Sequence, residues 1–226
     1  MILSKKLAVL AAAVLSSTAA FATPVTTSYT TFGTLAGATF GGTGIPNTDV
    51  AITSISNGQA VLGLSATQRY SNPAVRSDDD GIFHAVAGGD TLDKASSQAR
   101  WNFDYYIGGS NVNGYTYKLL ADFDPATGTD LSNYVDLSGY LAFVPLGFNR
   151  QNSLNLGNLL TSASSSFDPT VSGQYGFVLE AINKDGREVG RSSILVDVGN
   201  VPEPASYALV GIALAGMAVA ARRRKA

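Results

Sequence analysis

Side chains able to do acid–base or nucleophilic chemistry are few in this 226-residue chain, which has one histidine, His84, and no cysteine. That combination rules out a Cys–His pair and the usual zinc ligand sets. His84 stands among Ile82, Phe83, Ala85 and Val86, with no partner set in its pattern, and reads as a structural or surface histidine. Serines are plentiful, but no Gly-x-Ser-x-Gly elbow occurs, so a serine hydrolase has no anchor. What remains is carboxylate: fourteen Asp and three Glu. A carboxylate pair can hydrolyse a glycosidic bond, and Asp104 and Asp122 fall on strands expected to be adjacent, although solvated strand charges are the plainer reading. Two acid clusters, Asp78, Asp79, Asp80 and Asp122, Asp124, Asp130, leave a structural calcium open. Neither fits an EF-hand, because Ala126 occupies a ligand position and Gly128 falls one place late. Runs of acids are more often solvated loops. No catalytic residue is assigned, and calcium is the one cofactor considered.

The elements that must position these groups are short alternating stretches broken by turn residues, with no sustained helical stripe. Strands are expected at 29–32, 50–56, 60–67, 82–86, 100–107, 115–122, 177–182 and 193–198. Asn57-Gly58 marks a hairpin, and Asn183-Lys184-Asp185-Gly186 a turn between the last two strands. In 100–107 the alternation puts Trp101, Phe103 and Tyr105 on a dry face and Asn102, Asp104 and Tyr106 on a wet one. The 108–114 stretch should join this strand to 115–122 as a second hairpin. Residues 33–44, rich in glycine, read as a flexible loop or a loosely paired edge. Around Leu137, Leu141 and Phe143 a strand ended by Pro145 is expected, and around Leu154, Leu156, Leu159 and Leu160 another strand or a short helix. Gly173-Gln174-Tyr175 before a strand resembles the tyrosine corner of Greek-key sandwiches. The fold class is all-β, an antiparallel Greek-key or jelly-roll-like β-sandwich over residues 23–200.

Both ends of the chain carry addresses. Lys5 and Lys6 precede the apolar run 7–15, and Ala20-Phe21-Ala22 supplies the small residues of a signal-peptidase site, with Ala20 and Ala22 flanking the large one. Residues 1–22 are thus expected to be a signal peptide. At the other end, Pro202, Glu203 and Pro204 form a stiff, non-helical break. The uncharged run 207–221 follows, then Arg222, Arg223, Arg224 and Lys225, in the order of a transmembrane helix and its basic stop. At 1.5 Å per residue the run spans about 22 Å, short of a roughly 30 Å hydrocarbon core, so it holds the membrane with little to spare. A plain retained anchor would look similar but for the triplet.

The triplet, the apolar helix and the basic end together resemble the PEP-CTERM sorting signal of Gram-negative bacteria. The resemblance implies that residues 201–226 park an exported protein in the inner membrane until an exosortase cuts near the triplet and releases it to the cell surface or outside. It also implies two processing partners, signal peptidase and exosortase, and membrane contact through the C-terminal helix. The middle looks like the extracellular sandwiches of such proteins only in style, and implies no activity.

Between the signals, nine basic side chains face sixteen acidic ones, a net charge of −7. Such a surface repels phosphate backbones, so nucleic acid is excluded as a partner. Without cysteine, an oxidising compartment supplies no staple and stability must come from the core. Three function classes compete. The first is a non-enzymatic surface or extracellular-matrix protein associated with exopolysaccharide or biofilm, as the resemblance implies. The second is a carbohydrate-binding module, which needs an exposed platform from Trp101, Tyr105, Tyr106, Tyr115 or Tyr117. The third is a carboxylate-dependent glycoside hydrolase.

Overall fold

The computed structural model describes residues 24–90, 97–143, 150–159 and 166–199. Within them the chain is all-β, its strands forming two sheets. Sheet A holds β1 (Thr31–Gly33), β2 (Val50–Ile55), β3 (Ala60–Gln68), β6 (Trp101–Gly108) and β9 (Arg150–Leu154), in the order β1-β2-β3-β6-β9. Sheet B holds β4 (Arg76–Ser77), β5 (Ile82–Val86), β7 (Thr116–Ala121), β8 (Val135–Asp136), β10 (Gly173–Ile182) and β11 (Glu188–Gly199), in the order β4-β5-β11-β10-β7-β8. The inner faces pack on each other: Leu62, Leu64, Phe103 and Tyr105 of sheet A share one buried cluster with Phe177, Leu179, Ile194 and Val196 of sheet B. This is sheet-on-sheet packing, in which alternate side chains interdigitate between the layers.

Local chemistry accounts for the turns that were expected. In the β2–β3 hairpin, Ser56, Asn57 and Gly58 all have positive φ, a conformation that Asn and Gly adopt at least cost. Between β10 and β11 the Asn183 Oδ1 accepts from the backbone N–H groups of Asp185 and Arg187, both at 3.0 Å, and Gly186 takes the left-handed position. Tyr175 is buried inside β10 rather than ahead of it, and its hydroxyl reaches back to the Val171 carbonyl, a long contact of 3.5 Å.

Four expectations are corrected. The pairing is not wholly antiparallel, since β11 runs parallel to β5; the chain reaches β5 from across the molecule, and local alternation carries no sign of strand direction. The 100–107 and 115–122 strands form no hairpin. The two edges of β6 are taken by β3 and β9, while β7 lies between β10 and β8, so the 109–115 connection, with a 3-10 turn at Val112–Gly114, crosses from one sheet to the other. Leu137, just ahead of a 3-10 segment at Ser138–Phe143, and Leu141, within it, are buried without forming the expected strand. There Asp136 Oδ1 takes the Ser138 N–H at 2.7 Å and turns the chain, while the Ser138 hydroxyl accepts the Leu119 N–H at 3.1 Å. Around Leu154 to Leu159 both expected forms occur in succession, β9 and then a 3-10 turn at Leu156–Asn158; Pro145 and Leu160 lie outside the described residues.

The fourth correction concerns residues 34–49, which form neither a flexible loop nor a paired edge but a cap on the outer face of sheet A. Leu35, Ala38 and Phe40 of the cap bury themselves with Val50 and Tyr106 as a second cluster. Their backbone is tied down by two amides. Gln151 Oε1 accepts from the N–H groups of Thr39 and Phe40 at 2.7 and 2.8 Å, and Asn47 Nδ2 donates to the carbonyls of Leu35 and Ala38. Gly63 makes the close approach feasible, because a Cβ there would fall 2.6 Å from Leu35 Cδ2. The supposed wet face of β6 is therefore covered, and Tyr106 is buried beneath the cap.

Candidate functional site

The expected site residues do not gather at one place. His84 Nε2 meets Asp78 Oδ2 at 2.6 Å on the surface, so its partner is an exposed carboxylate beside it on sheet B. Four of the other acids in the two clusters serve local backbone. Asp80 Oδ1 accepts the Ile82 N–H, Asp122 Oδ1 the Asp124 N–H, Asp124 Oδ1 the Ala126 N–H and Asp130 Oδ1 the Ser132 N–H. Such turns are the normal work of short acids in loops. Asp79 sits at a positive φ within its own turn. Among the described residues no group of three His, Asp or Glu side chains is placed to hold a metal ion.

Asp104 and Asp122 are separated by the sandwich itself, Asp104 on the outward side of sheet A and Asp122 at the end of β7 in sheet B. Adjacency failed for the same reason as the hairpin. Of the expected aromatic platform, Trp101, Tyr105, Tyr106 and Tyr117 are buried. Trp101 packs on Tyr175 and Phe177, and burial drives the hydroxyls of Tyr105 and Tyr117 up to about 12. Tyr115 is half-buried and its hydroxyl donates to Gln59 Oε1 at 3.2 Å.

The structure gathers a different set. Strand register lays polar side chains in rows across the outer face of sheet A, where the cap ends: Ser65, Asp104 and Ser153 stand opposite one another, and Thr67 opposite Asn102. Asp104 is 0% exposed. It accepts from Thr67 Oγ1 at 2.8 Å, while its Oδ1 makes no hydrogen bond. Burial lifts its carboxyl to about 7, against the pull of the neighbouring Ser153 and Thr67 hydroxyls, which favour the ionised form. Asn102 is held at both ends of its amide, donating to Ser153 Oγ at 3.0 Å and accepting from Asn155 Nδ2 at 2.9 Å. Asn155 in turn donates to the carbonyls of Ala99 and Trp101 and accepts from the Ala99 N–H.

Above these rows lies an open groove of roughly 690 Å³, bounded by residues 42–46 of the cap on one side and by Arg69, Tyr70, Ala74 and Val75 on the other. Tyr70 is 64% exposed and has a left-handed φ of 50°, an uncommon state for a bulky residue that costs about 1–3 kcal/mol and often marks a functional position. Its neighbour holds it there. The Arg69 guanidinium lies 4.6 Å from the Tyr70 ring centre and donates through Nε to the buried Asp90 carboxylate at 2.8 Å. Asn72 Nδ2 closes the turn on the Arg69 carbonyl at 2.6 Å. Sequence reasoning missed this site. The available signal was an aromatic next to arginine just ahead of the Ser71-Asn72-Pro73 turn, where a ring has no core to enter.

The terminal signals stand apart from this geometry. Ala20 and Ala22, Pro202, Glu203 and Pro204, and Arg222, Arg223, Arg224 and Lys225 lie outside the described residues. Among the described residues no helix is long and apolar enough to cross a membrane; the run 207–221 is not among them. Residues 200–225 match the family model described as the PEP-CTERM protein-sorting motif. The chain carries that sorting motif, and the motif implies an exosortase-sorted extracellular protein. It begins one residue after β11 ends at Gly199. No curated protein and no solved structure matches the chain.

Proposed function

We propose that the protein is a non-enzymatic component of the cell surface or extracellular matrix, exported behind a signal peptide cut after Ala22, parked in the inner membrane by residues 207–221, and released by exosortase to associate with exopolysaccharide. The observation that carries this reading is the sorting motif at residues 200–225, joined directly to the last strand of the sandwich. The final strand of the folded domain, β11, pairs with β10 from Glu188 to Val198, and the Pro-Glu-Pro segment follows in sequence, where its prolines disfavour helix and suit a protease site. The two sheets would connect in a Greek-key or jelly-roll manner, a rigid cargo that needs no disulfide outside the cell. The non-enzymatic part of the reading is supported by the lining of the groove, whose one carboxylate is Asp49, while hydrolysis of a glycosidic bond takes a pair. No cofactor enters this account, since the clustered acids are engaged in turns, and the net charge of −7 in the middle disfavours nucleic acid.

The test is fractionation of cells producing the wild type and a variant with Pro202, Glu203 and Pro204 replaced by Ala. The wild type should appear in the surface or medium fraction, and the variant should stay with the inner membrane at precursor mass. Equal release of both would overturn the reading.

A further inference from the structure

The groove on the outer face of sheet A has a composition that narrows its occupant. Its floor is made of hydroxyls and one amide, Thr67, Ser153 and Asn102, and the strands that carry Thr67 and Asn102, β3 and β6, are already paired on both edges, so neither offers backbone to an added peptide strand. The aliphatic lining consists of Ile45, Pro46, Ala66, Ala74 and Val75, and a lipid or a hydrophobic helix laid there would leave the hydroxyls and amide of the floor without partners. The one arginine on its rim is held by a buried carboxylate, and Asp49 lines the groove, so a polyanion meets no available positive charge and a domain of net charge −7. What the surface does offer is an exposed aromatic ring above a row of oriented hydrogen-bonding groups. That is the complement of a sugar, whose rings have an apolar face and an edge of hydroxyls.

We propose that this groove binds a neutral polysaccharide chain, with the ring of Tyr70 stacked on a sugar face and Asn102 and Ser153 meeting its hydroxyls. Both partners are positioned before the ligand arrives. Arg69 covers part of the Tyr70 ring and, through Asp90, fixes the turn that carries it. Asn102, engaged at its Oδ1 by Asn155 and through one hydrogen by Ser153, keeps a second amide hydrogen for a ligand. Preorganisation of this kind lowers the ordering cost of binding. The inference gives a place on the molecule to the exopolysaccharide association proposed above and rests on that reading only for the source of the glycan. Binding in a gel does not depend on cleavage of the tail, so the two fail separately.

The experiment is affinity electrophoresis of the full-length chain in mild detergent, through native gels containing dextran, xylan, glucomannan, hydroxyethylcellulose or, as the acidic polymer, alginate. At least one neutral polymer should retard the wild type and alginate should not. Tyr70→Ala should weaken the retardation at least tenfold at unchanged melting temperature, since the side chain is exposed, and Tyr70→Phe, which keeps the ring face, should stay within about twofold of wild type. Retardation by none of the neutral polymers, stronger retardation by alginate, or equal retardation of wild type and Tyr70→Ala would each overturn the proposal.

Discussion

The ring of Phe103 in β6 lies stacked on the ring of Phe177 in β10, centroids 4.2 Å apart and planes 19° from parallel. Each belongs to an interior strand of its own sheet and each is fully buried. The pair is thus a direct bond between the layers, and Trp101 closes on Phe177 from the side at 6.0 Å. Phe177→Ala removes the stack and leaves a cavity that neither sheet can close. It should cost about 3–5 kcal/mol, read as a fall in the urea midpoint at unchanged slope. A loss below about 1 kcal/mol would show that the layers are not held here.

Asp104 sets a pH dependence with a defined sign. Its carboxyl titrates at about 7 in the folded protein against 3.8 in the unfolded chain, so the folded state holds the proton more tightly. Its contribution is fully present below pH 4 and is lost as pH rises through about 7, at most about 4 kcal/mol in all. Asp122 and Glu180, also raised by burial, act in the same direction. Urea midpoints should therefore be higher at pH 5 than at pH 8, and Asp104→Asn should reduce the difference by raising the pH 8 value. A variant less stable than wild type at pH 8 would contradict this.

Asn155 is the knot at the start of β6. Its side chain serves the backbone of Ala99 and Trp101 and the amide of Asn102 together. Asn155→Ala leaves a buried donor and two buried carbonyls without that partner, each worth about 1–3 kcal/mol. A destabilisation of at least about 2 kcal/mol is expected by thermal melt, with weaker glycan retardation because Asn102 loses its fixed orientation. An unchanged melting temperature would rule the knot out.

How much of this could be read from the chain divides by distance along it. The hairpins at Asn57-Gly58 and at 183–186 were legible because their turn residues force local geometry, and the dry face of β6 because alternation reports burial directly. Which strand lies beside which was not: the Gly108-Gly109 connection serves a hairpin or a crossing between sheets equally well, and the partners of β6 are 33 to 51 residues away. The cap was missed because its glycines suggested freedom, while Gln151 and Asn47, which bind it, sit outside it. The clustered aspartates drew attention as ligands, and the side chains of four of them, Asp80, Asp122, Asp124 and Asp130, accept from neighbouring N–H groups. The groove was invisible for the same reason as the cap, being assembled from β3, β6, β9 and two distant loops. The sorting motif of the tail is contiguous, and it was legible from its own residues.

The central claim is that this tail is a removable address, and the most direct measurement is intact-mass and peptide spectrometry of the protein recovered from the outer surface or medium of the host that makes it. The account predicts a mature chain that begins at Thr23 and ends near Pro202-Glu203-Pro204, with no peptide from residues 207–226. Surface protein that still carries Tyr207 through Ala226 would contradict it and make the tail an ordinary anchor.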